Sequence, residues 1–179
     1  LRTPRAYTPR PRHVVAIETH SAWVFLTAQE AYKLKKPLRH ASMDYRTLAR
    51  RRLGCSEEVR LNRRLAPSVY RGIVPLKMDR AGRLQLAGRG RTVDWLVRMR
   101  RLPAHRMLDT VLRQRALRVP ERAALLATLG AFFGAAPRQP AHPSRQAVQL
   151  RHQISQNRRV LLRLLRQYRP LVESFVASQ

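Results

Sequence analysis

Hydrophobic residues cluster in three short runs that follow the first twelve residues. The runs read "HVVAIETH", "HSAWVFLT" and "EAYKLKKP", lie between residues 13 and 37, and are separated by breaks at "THS" and "AQE". Compact runs rich in β-branched and aromatic residues, divided by short polar breaks, predict three consecutive antiparallel strands. Residues 1–12 carry three prolines and four arginines, so this segment is predicted to be a disordered or extended lead-in.

The pattern changes to a helical period after the third run. Residues 44–66 predict one long helix, with Asp44 as its N-cap and Pro67 just past its end. The segments "GIVPLKM" and "GRLQLAG" flank a turn-like "DRAG" and predict a hairpin, and "TVDWLVRM" predicts another strand. From residue 104 onward helices are predicted at 105–117, 120–135 and 144–169.

Strands and helices are therefore segregated along the chain rather than alternating. This order predicts an α+β fold, with a mainly antiparallel sheet that carries one helix and is followed by a helical part. The predicted divisions are the lead-in at 1–12, a sheet-bearing unit at 13–103 and a helical part at 104–179.

Lysine is concentrated in the third run. Because side chains alternate along a strand, Lys33 and Lys35 share one face, whereas Lys36 lies on the other. An edge strand that carries lysines to prevent edge pairing would explain this pattern without any binding site.

The long helix offers these lysines a partner. Glu58 lies within the apolar helix face, Glu57 points away from it, and Arg51 projects near its border, where its long side chain can snorkel to water. A carboxylate aimed into a core must be paired or protonated, so a lysine of the third strand is the candidate partner of Glu58. The apolar face itself is predicted to comprise Leu48, Cys55, Val59, Leu61, Leu65 and Ala66.

Composition adds a large positive charge. The chain has 37 basic and 10 acidic residues, a formal net charge of +27, which favours nucleic acid, anionic membrane or phosphate compounds as partners. The charge is spread over the chain, so it leaves the partner open. A single cysteine suits a reducing cytoplasm, and the longest uncharged stretch, 123–137, is too short to span a bilayer, so we expect a cytoplasmic protein with no membrane partner.

Three blocks carry a resemblance to a known family. The blocks are "IETHSAWVFLTAQEAYKLKKPL", "LARRRLGCSEEVRLNRRLAPSVYRGIVPL" and "VRMRRLP". They resemble the bacterial aminoglycoside-phosphotransferase-like domain, a protein-kinase-like domain that in many members precedes a P-loop ATPase domain in one chain. The match is dense from about residue 13 to residue 101 and looser beyond.

The resemblance implies a kinase-like N-lobe, with an antiparallel sheet of about five strands and one helix, followed by the first helices of a helical C-lobe. It implies ATP as the bound nucleotide, with Lys35 as the lysine that positions it, Lys33 as the near alternative, and Glu58 as their helix partner. The loop Glu18–Ala22, which contains His20 and Ser21, would lie over the phosphates. The hinge beside the adenine would comprise Met99, Arg100, Arg101 and Leu102.

The same family places its chemistry elsewhere. Its catalytic aspartate and Mg²⁺ ligands lie in a "His-Gly-Asp" block and a later aspartate, and none of the four aspartates of this chain stands in such a motif. The loop "ETHSA" also lacks the glycines that would favour phosphate contact by backbone N–H groups. No Walker-type loop is present, and the scattered histidines show no metal-ligand spacing. We therefore expect an N-terminal fragment that is inactive alone.

The sequence thus predicts the nucleotide-binding part of a phosphotransferase that moves the ATP γ-phosphate to a small hydroxylated acceptor with Mg²⁺. A non-catalytic kinase-like domain that regulates a fused ATPase remains open. The alternative from another class is a basic RNA- or DNA-binding protein, which predicts binding that weakens steeply with salt.

Overall fold

The computed structural model describes residues 1–40, 43–114, 117–137 and 143–164. Its core is a six-stranded antiparallel sheet with the order β1-β2-β3-β8-β6-β7. The strands of this sheet are β1 (Val15–Glu18), β2 (Ala22–Leu26), β3 (Glu30–Lys35), β6 (Tyr70–Met78), β7 (Leu84–Leu86) and β8 (Arg91–Arg100). A separate two-stranded ladder, β4 (Arg39–His40) with β5 (Met43–Asp44), follows β3.

The helices follow the predicted order with shifted ends. Their bounds are α1 (Leu48–Asn62), α2 (Leu108–Arg113), α3 (Val119–Gly134) and α4 (Pro143–Leu164), with short 3-10 helices at Pro4–Ala6 and Ala104–Arg106. The α+β class and the antiparallel sheet with its helix are therefore confirmed. The segment 165–169, predicted to continue the last helix, lies outside the described residues.

Helix α1 begins four residues later than predicted. Asp44 ends β5 instead of capping the helix, and the N-cap is Thr47, whose Oγ1 accepts the Arg50 N–H at 3.3 Å. Asp44 is held outside the helix because its carboxylate pairs with Arg46 and Arg50. The prediction failed because both residue types serve as N-caps and the intervening two-stranded ladder has no strong sequence signal.

Helix α1 packs against one face of the sheet. Cys55 and Val59 of the helix bury themselves against Val97 of β8, and Tyr70 and Ile73 of β6 border this cluster. The predicted apolar face of α1 is thus only partly buried. Its remaining leucines stay solvent-exposed in part: Leu48 at 36%, Leu61 at 47% and Leu65 at 44%.

The N-terminal segment covers the opposite face, which corrects the predicted disordered lead-in. Ala6 and Tyr7 are both 4% exposed and pack with Phe25 and Leu96, and the Tyr7 ring lies 5.4 Å from that of Tyr32. Tyr7 also donates a hydrogen bond to the carbonyl of Leu1 at 2.7 Å. Proline-rich composition predicted disorder, but one buried aromatic ring is enough to anchor a short segment.

The chain forms two compact units, Leu1–Ala135 and Ala136–Gln179. The first unit contains the predicted sheet-bearing unit at 13–103 together with the first part of the predicted helical segment. Helices α2 and α3 belong to this unit, and α4 belongs to the second. Within the described ranges, no helix combines the length and hydropathy needed to cross a bilayer.

Candidate nucleotide site

Glu58 accepts hydrogen bonds from two lysines of β3. Lys33 Nζ donates to Oε1 at 2.9 Å and Lys35 Nζ donates to Oε2 at 2.5 Å. The predicted approach of Lys35 to Glu58 within salt-bridge distance is confirmed, and Lys33 shares the same carboxylate. The sequence left the two lysines as alternative candidates, whereas in the structure both donate to Glu58.

Strand register explains why both lysines reach the helix. Lys33 is paired with Val97 of β8, and Lys35 is paired with Ala22 of β2. Both lysine side chains therefore project from the sheet face on which α1 packs. On the helix, Glu58 lies three residues after the fully buried Cys55 and so shares the side that faces the sheet. The exposed Glu57 pairs instead with Arg60 at 2.7 Å, as predicted for a solvent-facing carboxylate.

The two lysines differ in environment. The Lys35 side chain is 7% exposed and its Nζ lies 4.8 Å from the centre of the Tyr45 ring, whereas the Lys33 side chain is 33% exposed. Glycine at position 54 permits this arrangement, since a Cβ there would overlap the Tyr45 ring. Sequence reasoning missed Tyr45, although a glycine in the middle of a helix was an available signal of a close approach.

The electrostatics favour the charged forms of Glu58 and Lys35. Burial alone would raise the pKa of Glu58, but the hydrogen bonds from Lys35 and Lys33 outweigh it and hold that pKa below its usual value. For Lys35, burial opposes the charged form, and the bond to Glu58 overcomes it and raises the pKa. One carboxylate between two ammonium groups leaves one positive charge uncompensated.

Cys55 is buried beneath the same triad. Its Sγ lies 3.6 Å from the Trp95 carbonyl oxygen, and burial raises the pKa of the thiol to about 11. The thiol is therefore protonated at neutral pH, and Cys55 acts as a packing residue.

A cleft of about 550 Å³ opens on the α1 face, beside β1, β2 and β3. Its walls are mainly apolar and include all four residues predicted as the hinge. The lining residues are Ile17, Leu26, Ala31, Asn62, Leu65, Ala66, Val69, Tyr70, Met99, Arg100, Arg101, Leu102, Ala104 and Met107. Ala31 stands two residues before Lys33 on the same strand face, whereas Lys33, Lys35 and Glu58 themselves lie outside the lining of the cleft.

Backbone hydrogen bonds to neighbouring segments hold the predicted hinge in place. The Arg100 N–H donates to the Val69 carbonyl and the Arg101 N–H donates to the Gln29 carbonyl, both at 2.8 Å. The Arg101 guanidinium also donates to the Thr27 carbonyl at 2.7 Å. These bonds fix the segment that forms one wall of the cleft.

The predicted phosphate loop is a tight turn between β1 and β2. Thr19 Oγ1 accepts the Ala22 N–H at 3.0 Å, the Thr19 N–H donates to the Ala22 carbonyl, and the Ser21 carbonyl accepts the Lys36 N–H at 2.9 Å. The N–H groups of Thr19 and Ala22 are therefore engaged. His20 and Ser21 form the tip of this turn, and its phosphate contact stays a prediction.

Lys36 lies on the other face of the sheet and contacts residues on both sides of the same turn. Its Nζ lies 2.5 Å from Glu18 Oε1 and 5.0 Å from the centre of the Trp23 ring. The third lysine of the strand thus joins β1, β2 and β3 and does not take part in the Glu58 cluster.

The environment of Arg51 was predicted incorrectly. Arg51 does not snorkel to water: it is 9% exposed, its Nε lies 2.8 Å from Asp94 Oδ1, and its Nη1 donates to the Tyr45 and Arg46 carbonyls. The reason is that the partly buried carboxylate of Asp94 on β8 pairs with its guanidinium.

The acidic side chains of the described residues are all engaged with basic ones. Each of the nine forms at least one ion pair with lysine or arginine. Within the same residues no group of three metal-ligating side chains occurs. Glu58 with its two lysines carries a formal charge of +1, which suits an anion better than a metal ion.

Comparison with known proteins gives limited matches. No family model matches the chain, and no solved structure matches it. Uncharacterized proteins from Mycobacterium bovis and from two strains of Mycobacterium tuberculosis are 42% identical to it over 65 residues, 36% of this chain. The matched segment spans only 13% of the length of each of these relatives.

Proposed function

We propose that the chain is the nucleotide-binding part of a kinase-like phosphotransferase. The observation that carries the proposal is the sharing of Glu58 by Lys33 and Lys35 on the same sheet face that borders an apolar cleft. The arrangement resembles the strand-lysine and helix-glutamate pair with which kinases orient nucleotide phosphates. In this proposal the sheet and α1 form the N-lobe, and the helices after residue 104 begin the C-lobe.

The cleft and the lysines would divide nucleotide recognition between them. The apolar walls formed by Ala31, Met99 and Leu102 suit the flat faces of a purine, which gains by leaving water. The net positive charge at Lys33 and Lys35 suits the phosphates, because an ammonium group is a compact charge that reaches phosphate oxygens.

We assign different roles to the two lysines. Lys35 is nearly buried between Glu58 and Tyr45, so it fixes the carboxylate. Lys33 is more exposed and stands closer along β3 to the cleft, so it contacts the phosphate. This assignment exchanges the order suggested by the family resemblance, which favoured Lys35.

ATP, when bound, supplies the γ-phosphoryl group for a small hydroxylated acceptor. The residues of this chain bind and orient the nucleotide. We assign neither the aspartate that would orient the acceptor nor the ligands of Mg²⁺ to residues of this chain, since none of its four aspartates stands in the family's motif.

The proposal is tested by titrating ATP into the wild-type chain and two single variants. Lys33→Ala removes the phosphate contact and should weaken ATP binding by about tenfold, as expected for the loss of one hydrogen bond to a charged group. Arg122→Ala removes the same unit of charge from an exposed position on α3 and should leave the affinity nearly unchanged. Equal losses in both variants would contradict the proposed site.

A further inference from the structure

Five arginines gather where β6, β7 and β8 meet at one end of the sheet. We call this surface the basic edge; its members are Arg5, Arg80, Arg83, Arg89 and Arg91, all of them exposed. None of these residues lines the cleft or contacts Glu58, so the basic edge is separate from the proposed nucleotide site.

The fold brings these arginines together from three segments. Arg5 and Arg83 line a common cleft of about 520 Å³ between the N-terminal segment and β7. Arg91 pairs in register with Met78, the last residue of β6 before the turn that carries Arg80. Gly90, at φ 111°, packs so closely against the Met78 carbonyl that a Cβ would overlap it.

The positive charge of the basic edge is largely uncompensated. Asp79, its single carboxylate between residues 77 and 91, already accepts the N–H groups of Ala81 and Arg83 and pairs with the Arg83 guanidinium at 2.8 Å. Within the described ranges, Arg5, Arg80, Arg89 and Arg91 form no ion pair with an acidic side chain. The other carboxylates of these ranges are paired elsewhere.

The chemistry of this surface indicates its ligand. Arginine presents a planar fork of donors that matches phosphate oxygens. Between residues 79 and 91 no aromatic residue occurs, and Leu84 is the one exposed large apolar side chain. Single-stranded nucleic acid is held largely by stacking on aromatic side chains, which this surface lacks. Interfacial membrane binding needs an apolar face, which this surface also lacks.

We infer that the basic edge binds the phosphate backbone of double-stranded nucleic acid without reading its sequence. Phosphate contacts of this kind release counterions, so affinity should fall linearly with the logarithm of salt concentration. DNA and RNA duplexes share this backbone chemistry, and the experiment compares them.

The test measures fluorescence anisotropy of labelled 20-base-pair DNA and RNA duplexes of mixed sequence over a salt series. For DNA, the triple variant R80Q/R89Q/R91Q should reduce the salt slope of log K by roughly 2.7, about 0.9 for each lost phosphate contact. The matched triple R122Q/R151Q/R159Q removes the same charge from exposed positions on α3 and α4, and should preserve the slope. A third variant, R80K/R89K/R91K, retains the charge and should retain most of the slope.

Three results would overturn the inference. Equal slope changes in the two glutamine triples would mean that only net charge matters. Tighter binding of a single strand than of either duplex would contradict backbone recognition of a duplex. Tighter binding to vesicles containing anionic lipid, lost in R80Q/R89Q/R91Q but not in the matched triple, would assign the surface to membranes.

Discussion

At the scale of single residues, one carboxylate organises the candidate site. Glu58 would be costly to bury alone, and it is stabilised by two ammonium groups that approach its two oxygens separately. The loss of stability on removing one lysine therefore depends on how well the other still pairs with Glu58.

Substitution of the two lysines should affect stability unequally. Lys35→Met removes the buried partner and should lower the free energy of unfolding by roughly 1–3 kcal/mol, because one oxygen of Glu58 loses its donor. Lys33→Met removes a more exposed partner and should cost about 1 kcal/mol or less. Urea denaturation of both variants measures the difference, and a larger loss for Lys33→Met would contradict the assigned roles.

The Glu58 cluster should also make stability depend on pH. Because the folded state lowers the pKa of Glu58 below 4.5, the stabilisation is complete above that value and is lost as the pH falls through the folded pKa. Because the pKa of Lys35 is raised above 10.5, its contribution is complete below that value and is lost as the pH rises through the folded pKa.

Denaturation at pH values from 7 to 3 checks the acidic limb. The stability difference between the wild type and Glu58→Gln should be large at pH 7 and should shrink below about pH 4.5. Glu57→Gln is the matched control, since that exposed carboxylate pairs with Arg60 in water and should give a much smaller change. Parallel curves for the wild type and Glu58→Gln would contradict the ion-pair account.

At the scale of elements, the N-terminal segment and α1 sandwich the sheet. Lys33 and Lys35 project from the sheet face that packs against α1. Tyr7 packs on the opposite face, against β3, the strand that carries both lysines. The segment therefore supports β3 from behind and belongs to the folded unit.

Tyr7→Ala tests whether the segment is part of the core. Removing this buried ring should lower the free energy of unfolding by about 3 kcal/mol, as for other large aromatic truncations. Arg10→Ala, at an exposed position in the same segment, should change it by less than about 0.5 kcal/mol. If thermal and urea denaturation give equal stabilities for the two variants, the segment contributes nothing to the core.

The strands and the long helix were predictable because their hydrophobic runs and breaks are local signals. The approach of Glu58 to β3 was also predictable, since strand alternation and helix period fix the faces that meet. The burial of Arg51 was not, because its partner Asp94 lies 43 residues away and sequence pattern does not give that distance. The N-terminal packing was missed for the same reason, as composition describes a segment without its tertiary contacts.

At the scale of the whole molecule, the charge excess complicates any binding measurement. The net charge of +27, with all acidic residues already counted, attracts polyanions to the whole surface. Weak binding of ATP at low salt would therefore not distinguish a formed site from general attraction.

The most direct test compares ATP with inorganic triphosphate at about 1 M salt, where the Debye length falls to roughly 3 Å. General attraction is then screened, while burial of a purine in the cleft between Ala31 and Leu102 is retained. Calorimetric titration of the wild-type chain should show tighter binding of ATP than of triphosphate. Equal affinities for the two ligands at high salt would contradict the nucleotide site.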